Sequence, residues 1–251
     1  MAFENYPKFS IITPSYNQGQ FIERAILSVL DQDYPDFEHI VVDNCSDDNT
    51  LEILKSYPHL RWISEPDNGQ SEAINKGFQM AEGEILAWLN ADESYYKNTF
   101  NIIREHYIQN ESVDVFYGDV DFVDGEGKLI RHKREIDFDE NILLYYGCYI
   151  PSAATFFRRR IIEEGQYLNE SYHYTMDFEY YVRLSKKGYT FKHIPKTLAN
   201  FMWTGDNKSL NANRRKKERN RVQRKYGFKH QFLNRIFTEI FRLKRQLYKF
   251  I

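Results

Sequence analysis

The sequence predicts an α/β fold organised around a doubly wound, mostly parallel sheet, and three observations carry that reading. Between residues 9 and 90, four short apolar or β-branched runs alternate with three segments of helical periodicity. The connections between them are short, as crossover units require. The 251 residues are 42% hydrophobic and 28% charged, a composition that suits one large domain with an appendage and a core that needs no disulfides. Collagen-like, coiled-coil and wholly disordered readings are excluded.

Taken in order, residues 9–13 (FSIIT) read as a buried strand that opens into a loop at Pro14. Phe21, Ile22, Ala25, Ile26, Val29 and Leu30 mark one face of a helix that ends near Asp33, ahead of Pro35. Residues 37–44 (FEHIVVDN) form a second strand, Asp48 or Asn49 is placed to cap a helix through Tyr57, and residues 60–64 (LRWIS) form a third strand. Ser71 is placed to cap a helix that reaches Met80 and stops at Gly83, after which residues 84–90 (EILAWLN) make a fourth strand. Beyond residue 110 the pattern loosens. Residues 114–132 offer two strands joined by a turn at 124–127, and residues 176–188 (MDFEYYVRLSKKG) are amphipathic and end on glycine, so they read as a helix. This second half completes one face of the sheet as mixed α+β material. No repeat or low-complexity linker interrupts it, so the body is drawn as one domain, 1–212, followed by a tail, 213–251.

The tail differs in charge. The whole chain is nearly neutral at -2, yet residues 214–251 hold fourteen Lys and Arg against two acidic residues. From Phe232 onward, Phe232, Ile236, Ile240, Leu243 and Leu247 fall on one side of a helical wheel, and Arg235, Arg242, Arg245 and Lys249 on the other, with Lys244 at the boundary. That is a basic amphipathic helix, suited to an anionic membrane surface. Folding back onto the acidic body, or pairing in a homodimer, is the open alternative. Nucleic-acid binding is disfavoured, because the apolar face suits lipid or a partner groove better than a phosphate backbone. Cys45 and Cys148 make no CxxC pattern, and the longest apolar run, 142–150, is about half of the roughly 20 residues a spanning helix needs. With no basic-then-apolar leader at the start, the expectation is a cytoplasmic protein with peripheral membrane contact at most.

Ligands of an open α/β sheet bind beyond the carboxyl ends of its strands. Four loops stand there: Thr13–Asn17, Asp43–Asn44, Glu65–Gly69 and Asn90–Glu93. All are rich in carboxylates or amides, and none carries GxGxxG or GxxxxGK[ST]. A phosphate ligand would be repelled by these carboxylates unless a divalent cation such as Mg²⁺ or Mn²⁺ mediated. Asp92, ending a strongly apolar strand, is the best-placed ligand; capping of a following helix is its alternative role. The histidines show no zinc-type spacing.

Three segments in this order, SIITPSYNQGQFIERAILSVLDQDYPDFEHIVVDN, EPDNGQSEAINKGFQMAEGEILAWLNADE and MDFEYYVRL, resemble the family-two glycosyltransferases of the GT-A fold over about residues 8–205. The resemblance implies transfer of a sugar from a nucleotide diphosphate donor to an acceptor hydroxyl, with inversion at the anomeric carbon. It implies that Thr13, Pro14, Tyr16 and Asn17 wall the base and ribose, that Asp43 and Asn44 reach the base, and that Asn68, Gly69, Asn75 and Lys76 lie near ribose and diphosphate. Asn90, Ala91 and Asp92 occupy the place of the DxD motif, with Asp92 the metal ligand, and Asp177 matches the general base. The alternative for Asp177 is an N-cap.

Departures are Asn90 at the first DxD position, Asn44 where a second acid is frequent, and Trp203 and Thr204 where many relatives carry a histidine. They imply weak metal affinity until the donor is bound. The leading expectation is elongation of a lipid-linked or cell-surface glycan at the membrane face; the rival is a noncatalytic nucleotide- or glycan-binding subunit of a membrane complex. Arg158, Arg159 and Arg160 read as a solvated helix start or as a contact for an acceptor phosphate, Trp62 and Trp88 as core, and Tyr145, Tyr146 and Tyr149 as core or as a stacking surface for an acceptor sugar.

Overall fold

A computed structural model describes residues 6–203, 211–228 and 231–247. Its first half follows the predicted order: β1 (Phe9–Ser15), α1 (Ile22–Leu30), β2 (Phe37–Asp43), α2 (Thr50–Lys55), β3 (Leu60–Ser64), α3 (Gln70–Met80) and β4 (Ile85–Trp88). The second half adds β5 (Glu93–Tyr95), α4 (Thr99–Gln109), β6 (Val115–Val123), β7 (Leu129–Lys133), β8 (Thr155–Arg158), α5 (Arg160–Glu163), α6 (Met176–Lys186) and β9 (Phe191–Met202). Two helices, α7 (Ala212–Tyr226) and α8 (Gln231–Leu247), close the chain.

The strands form one sheet in the order β3-β2-β1-β4-β8-β6-β9-β5, with β7 paired to β6. β3, β2, β1 and β4 run parallel, β8 is antiparallel to both its neighbours, and β6 pairs parallel with β9. The predicted mixed, mostly parallel sheet flanked by helices is therefore observed. Strand order reverses between β1 and β4, so the loops after these strands open into the same crevice.

Alternation of side chains along each strand fills two cores on opposite faces. Ile85 and Ala87 of β4, with Phe156 of β8, join Phe9, Phe100 and Tyr95 on one side. Leu86, Trp88 and Phe157 point to the other side, against Phe178, Tyr180 and Tyr181 of α6. Trp88 stacks on Phe157 with ring centroids 5.3 Å apart, so the reading of Trp88 as core holds, and partly buried Trp62 packs at the edge of a third cluster. Burying side chains of this size stabilises by about 1.5–3 kcal/mol each, which lets short strands hold register without strong local propensity.

Several local expectations are corrected. Gly69 stands at the N-cap of α3, and Ser71 lies inside the first turn, its hydroxyl donating to the Tyr172 carbonyl at 3.3 Å. α2 ends at Lys55, short of Tyr57; Asp48 supports its start by accepting from the Thr50 amide at 2.9 Å. Arg158 and Arg159 are partly buried and bound to backbone carbonyls, whereas Arg160 is the exposed start of α5, as the solvated-helix-start reading has it. Arg158 donates to the carbonyls of Val113, Tyr107 and Asn110, Arg159 to those of Gly83 and Ala81, and Arg160 pairs with buried Asp114. Arg158 and Arg159 thereby satisfy backbone carbonyls that would otherwise lack donors. The apolar run at 142–150 starts as a wide π turn (Ile142–Tyr146), with Tyr145 and Tyr149 packed in the core.

The tail packs on the body. The Glu218 carboxylate of α7 accepts from the amides of His173, Tyr174 and Thr175 at 3.0, 2.8 and 2.9 Å, and Val222 is fully buried. α8 lies against the π turn: Phe237 and Phe241 stack around Tyr145, Lys244 pairs with Asp139 at 2.5 Å, and Arg245 pairs with buried Glu135 at 3.0 Å. Arg245 thus faces inward, against the wheel reading. The predicted apolar stripe points outward instead, with Phe232 72%, Leu243 62% and Leu247 65% exposed. The wheel also included Lys249 and the Arg235 side chain, which lie outside the described residues.

Candidate active site

The four strand-end loops converge at the crevice, and hydrogen bonds between them fix their shapes. β1 ends in Ser15 and β2 in Asp43, neighbours in the sheet register. Asp43 is wholly buried, accepting from the Ser46 amide at 2.9 Å, the Ser46 hydroxyl at 2.5 Å and the Ser64 hydroxyl at 2.7 Å. Its carboxylate is therefore occupied in tying the β2 and β3 loops together. Asn44 accepts from the Asp67 amide at 2.8 Å, and Asn17 from the Asp47 amide at 3.0 Å. Asn17 and Cys45 both hold left-handed backbone, φ 52° and 51°. Strain of that kind is concentrated at binding loops, where the surrounding structure enforces it. Gly19 allows the loops to close up, since a Cβ there would lie 1.8 Å from the Asn49 side chain.

Thr13 and Pro14 are buried, and the Thr13 hydroxyl shares a 2.8 Å hydrogen bond with buried His39. Tyr16 is 58% exposed at the crevice mouth, free to lie against a flat ligand. Asn68 is bound to Glu72, and Gly69 (φ +130°) turns the chain into α3, with His173 beside it. Lys76 pairs with Glu65 at 2.9 Å and Glu72 at 3.3 Å. Asn75 is turned away from the crevice: it donates to Leu168 and Glu170 and accepts from the Leu168 amide, bracing the loop before α6.

The chemistry-bearing groups lie at the end of β4 and the start of α6. Asn90 accepts from Gln70 at 2.6 Å, so its side chain is committed to α3. Ala91 is buried. Asp92 precedes β5, and no helix follows for it to cap. Its carboxyl has no side-chain partner among the described residues, and burial pushes its pKa up. Glu93, which sequence reasoning missed, is buried beside it; one oxygen accepts from the Asn90 amide at 2.9 Å and the other has no partner among the described residues. Burial first, then the charges of Asp92 and Asp177, raise Glu93 from 4.5 to about 8. Its position directly after Asp92 was the available signal.

Asp177 sits in the first turn of α6, where Thr175 takes the cap position without a side-chain cap bond. One Asp177 oxygen accepts from the Phe178 amide at 2.8 Å, and the other faces the Cys148 thiol at 3.7 Å. Burial raises its pKa as well. It therefore does part of a capping role while its second oxygen looks into a cleft of about 1250 Å³, lined also by Pro151, Tyr174 and Trp203. None of the nucleotide-loop residues lines that cleft. Asp177 thus lines a cavity apart from the nucleotide loops while its charge reaches Glu93 at the end of β4.

Buried Glu93 between two partly buried carboxylates, Asp92 and Asp177, whose charges both raise it, with no ion pair to any of the three among the described residues, suits a divalent cation. Among the described residues no three such side chains form a metal-binding group by themselves. Asp92 would hold the ion, with the remaining ligands coming from donor and water, as is usual for magnesium. Trp203 is on the cleft wall, and Thr204 lies outside the described residues.

The family model described as glycosyl transferase family 2 matches residues 10–179, so the chain belongs to that family. It is 29% identical over 217 residues to TuaG of Bacillus subtilis (strain 168), named for teichuronic acid biosynthesis, covering 83% of each chain. TarS 1–349 of S. aureus in complex with UDP-GlcNAc superposes with a TM-score of 0.64 at 22% identity, over 82% of this chain and 61% of that one. The mannosyltransferase PcManGT of Pyrobaculum calidifontis, in complex with GDP-Man and Mn2+, gives 0.59 at 20% identity, over 79% and 57%. The fold is therefore that of the GT-A enzymes.

Because Glu218 secures three consecutive amides, those of residues 173–175, just ahead of α6, its loss should loosen the start of that helix. Glu218→Ala is expected to cost about 2–4 kcal/mol in urea unfolding, since hydrogen bonds to charged groups are worth about 1.5–3 kcal/mol each and partly re-form with water. A cost under about 0.5 kcal/mol would show that α7 does not brace the α6 start.

Proposed function

We propose that this glycosyltransferase is an inverting enzyme that moves a sugar from a nucleotide diphosphate to an acceptor hydroxyl on a lipid-linked or cell-surface glycan. The observation that carries the reading is Asp177, a partly buried carboxylate without an ion pair among the described residues, lining a large cleft while its charge acts on Glu93 beside Asp92.

The exposed Tyr16 and the loops braced through Asp43, Asn44 and Asn17 form the wall for base and ribose. Gly69, at the N-terminus of α3, brings backbone amides and a helix dipole toward the diphosphate, with Asn68 and Lys76 flanking. Asn75 acts through the loop it braces. Asp92 would hold Mg²⁺ or Mn²⁺, which when bound neutralises charge developing on the leaving diphosphate. Asp177 accepts the proton of the attacking hydroxyl as its oxygen bonds to the anomeric carbon. An alcohol is too weak an acid to ionise by itself, and a positioned base contributes about 10²–10⁴ in rate. Burial favours this role by lifting the proton affinity of Asp177 toward the working pH.

Transfer activity should require Mg²⁺ or Mn²⁺ and vanish with chelator, and Asp177→Asn should lower kcat by about 10²–10⁴. Asp92→Ala should abolish the metal response. Full activity in both variants would remove these assignments. Tight nucleotide binding without turnover across a panel of UDP-, GDP- and dTDP-sugars would favour the noncatalytic subunit.

For the tail we propose a peripheral contact with an anionic membrane. Among the described residues no helix is long and apolar enough to cross one. The outward stripe on α8, flanked by the exposed basic residues of α7, supports surface attachment at the inner face; each Lys or Arg near an anionic leaflet is worth about 1 kcal/mol. Full-length protein should float with phosphatidylglycerol vesicles and stay behind with phosphatidylcholine, and Ile240→Glu with Leu243→Glu should abolish flotation. Flotation unaffected by that pair, or a dimer that the pair dissociates, would assign the stripe otherwise.

A further inference from the structure

The cleft beside Asp177 has a charge pattern that sugar transfer alone does not explain. Its walls carry seven Lys and Arg against two carboxylates, Asp177 itself and Glu239. Five of the seven come from the two closing helices, and three of these crowd together: Arg215 and Arg219, one turn apart on α7, and Arg242 on α8. Burial, and then the charges of Arg242 and Arg215, disfavour the charged form of Arg219. Like charges at this spacing destabilise a helix, so the Arg215–Arg219 pair does not itself favour α7.

The cluster is also incompletely partnered. Arg219 donates to the Tyr145 carbonyl at 2.7 Å and has no carboxylate partner among the described residues. Arg215 has no ion pair among them, and Arg242 shares only the exposed Glu239, at 3.0 Å. By contrast, Lys133 on the opposite wall is held by Glu135 at 2.5 Å and by the Tyr149 carbonyl at 3.0 Å. The free donors thus gather on the helical wall.

That wall adjoins the base. A Cβ on Gly147, whose φ is +133°, would lie 3.8 Å from the Arg219 guanidinium carbon, and the next residue, Cys148, meets Asp177. A group entering beside Asp177 therefore passes under the guanidinium cluster.

We propose that the α7–α8 wall is an oxyanion subsite for the acceptor, in which Arg215, Arg219 and Arg242 receive a phosphate or carboxylate carried next to the reacting sugar. This rests on the reading of Asp177 as marking the acceptor side. Guanidinium forks bind both oxyanions bidentately, so the shared chemistry is a planar or tetrahedral oxyanion.

Three probes test it by calorimetry on the full chain with EDTA present: a glucuronate-ended trisaccharide, its glucose-ended counterpart, and a short-chain prenyl diphosphate N-acetylglucosamine. At least one anionic probe should bind about 10-fold or more tighter than the neutral one, with the advantage shrinking as salt rises. A preference for the glucuronate assigns a charged glycan, and a preference for the diphosphate assigns a lipid-linked carrier. The advantage should disappear in Arg215→Gln with Arg242→Gln, both exposed positions, and in Arg219→Gln, and should survive Arg219→Lys in part. Equal binding of all three probes, or an advantage unchanged in these variants, overturns the subsite. Transfer measured in parallel separates the two readings: Asp177-dependent transfer without charge preference removes the subsite alone, whereas Asp177-independent transfer removes the reading beneath it.

Discussion

The structure turns on the placement of Asp92, Glu93 and Asp177 together, with no ion pair to any of them among the described residues. Such an arrangement is costly, because desolvation disfavours each charge and the two outer carboxylates disfavour that of Glu93 further. The fold sustains it through two rigid supports. β4 is locked between β1 and β8 with Trp88 in the core, and α6 is held at its start by the Glu218 carboxylate. In the proposed reaction, a nucleotide-bound divalent cation and an acceptor proton would relieve this uncompensated charge.

From this follows a division of space. The crevice past β1 and β2 is polar, strained and tightly braced, which suits a rigid ligand with many hydrogen-bonding edges. The cleft beyond Asp177 is larger and more open, walled by aromatic and basic side chains from β6, β7, α7 and α8. The tail consequently belongs to the architecture of the site. It carries the cap of α6 on one face and the guanidinium cluster on another, while its apolar stripe faces outward.

The first half of the fold was legible because four buried strands and three amphipathic helices each repeat a strong period. The DxD-like loop and Asp177 were legible only through the ordered resemblance, since a lone acid at a strand end or helix start reads equally well as a cap. Glu93 was missed because a carboxylate buried beside another gives no periodic signal. β8 and β9 were not legible either: their pairing is set by contacts distant in sequence, and β9 changes register against β6. In α8 the wheel located an apolar stripe correctly but could not say what covers it; Phe237, Phe241 and Arg245 make the body contact instead.

The central claim is that Asp92 and Asp177 serve opposite ends of one reaction. A crystal structure of the full chain with Mn²⁺ and a non-transferable nucleotide sugar tests it most directly. The account predicts the ion bonded to an Asp92 oxygen and the anomeric carbon facing the cleft across from Asp177. An ion bound elsewhere, or a sugar whose open face points away from Asp177, would contradict it.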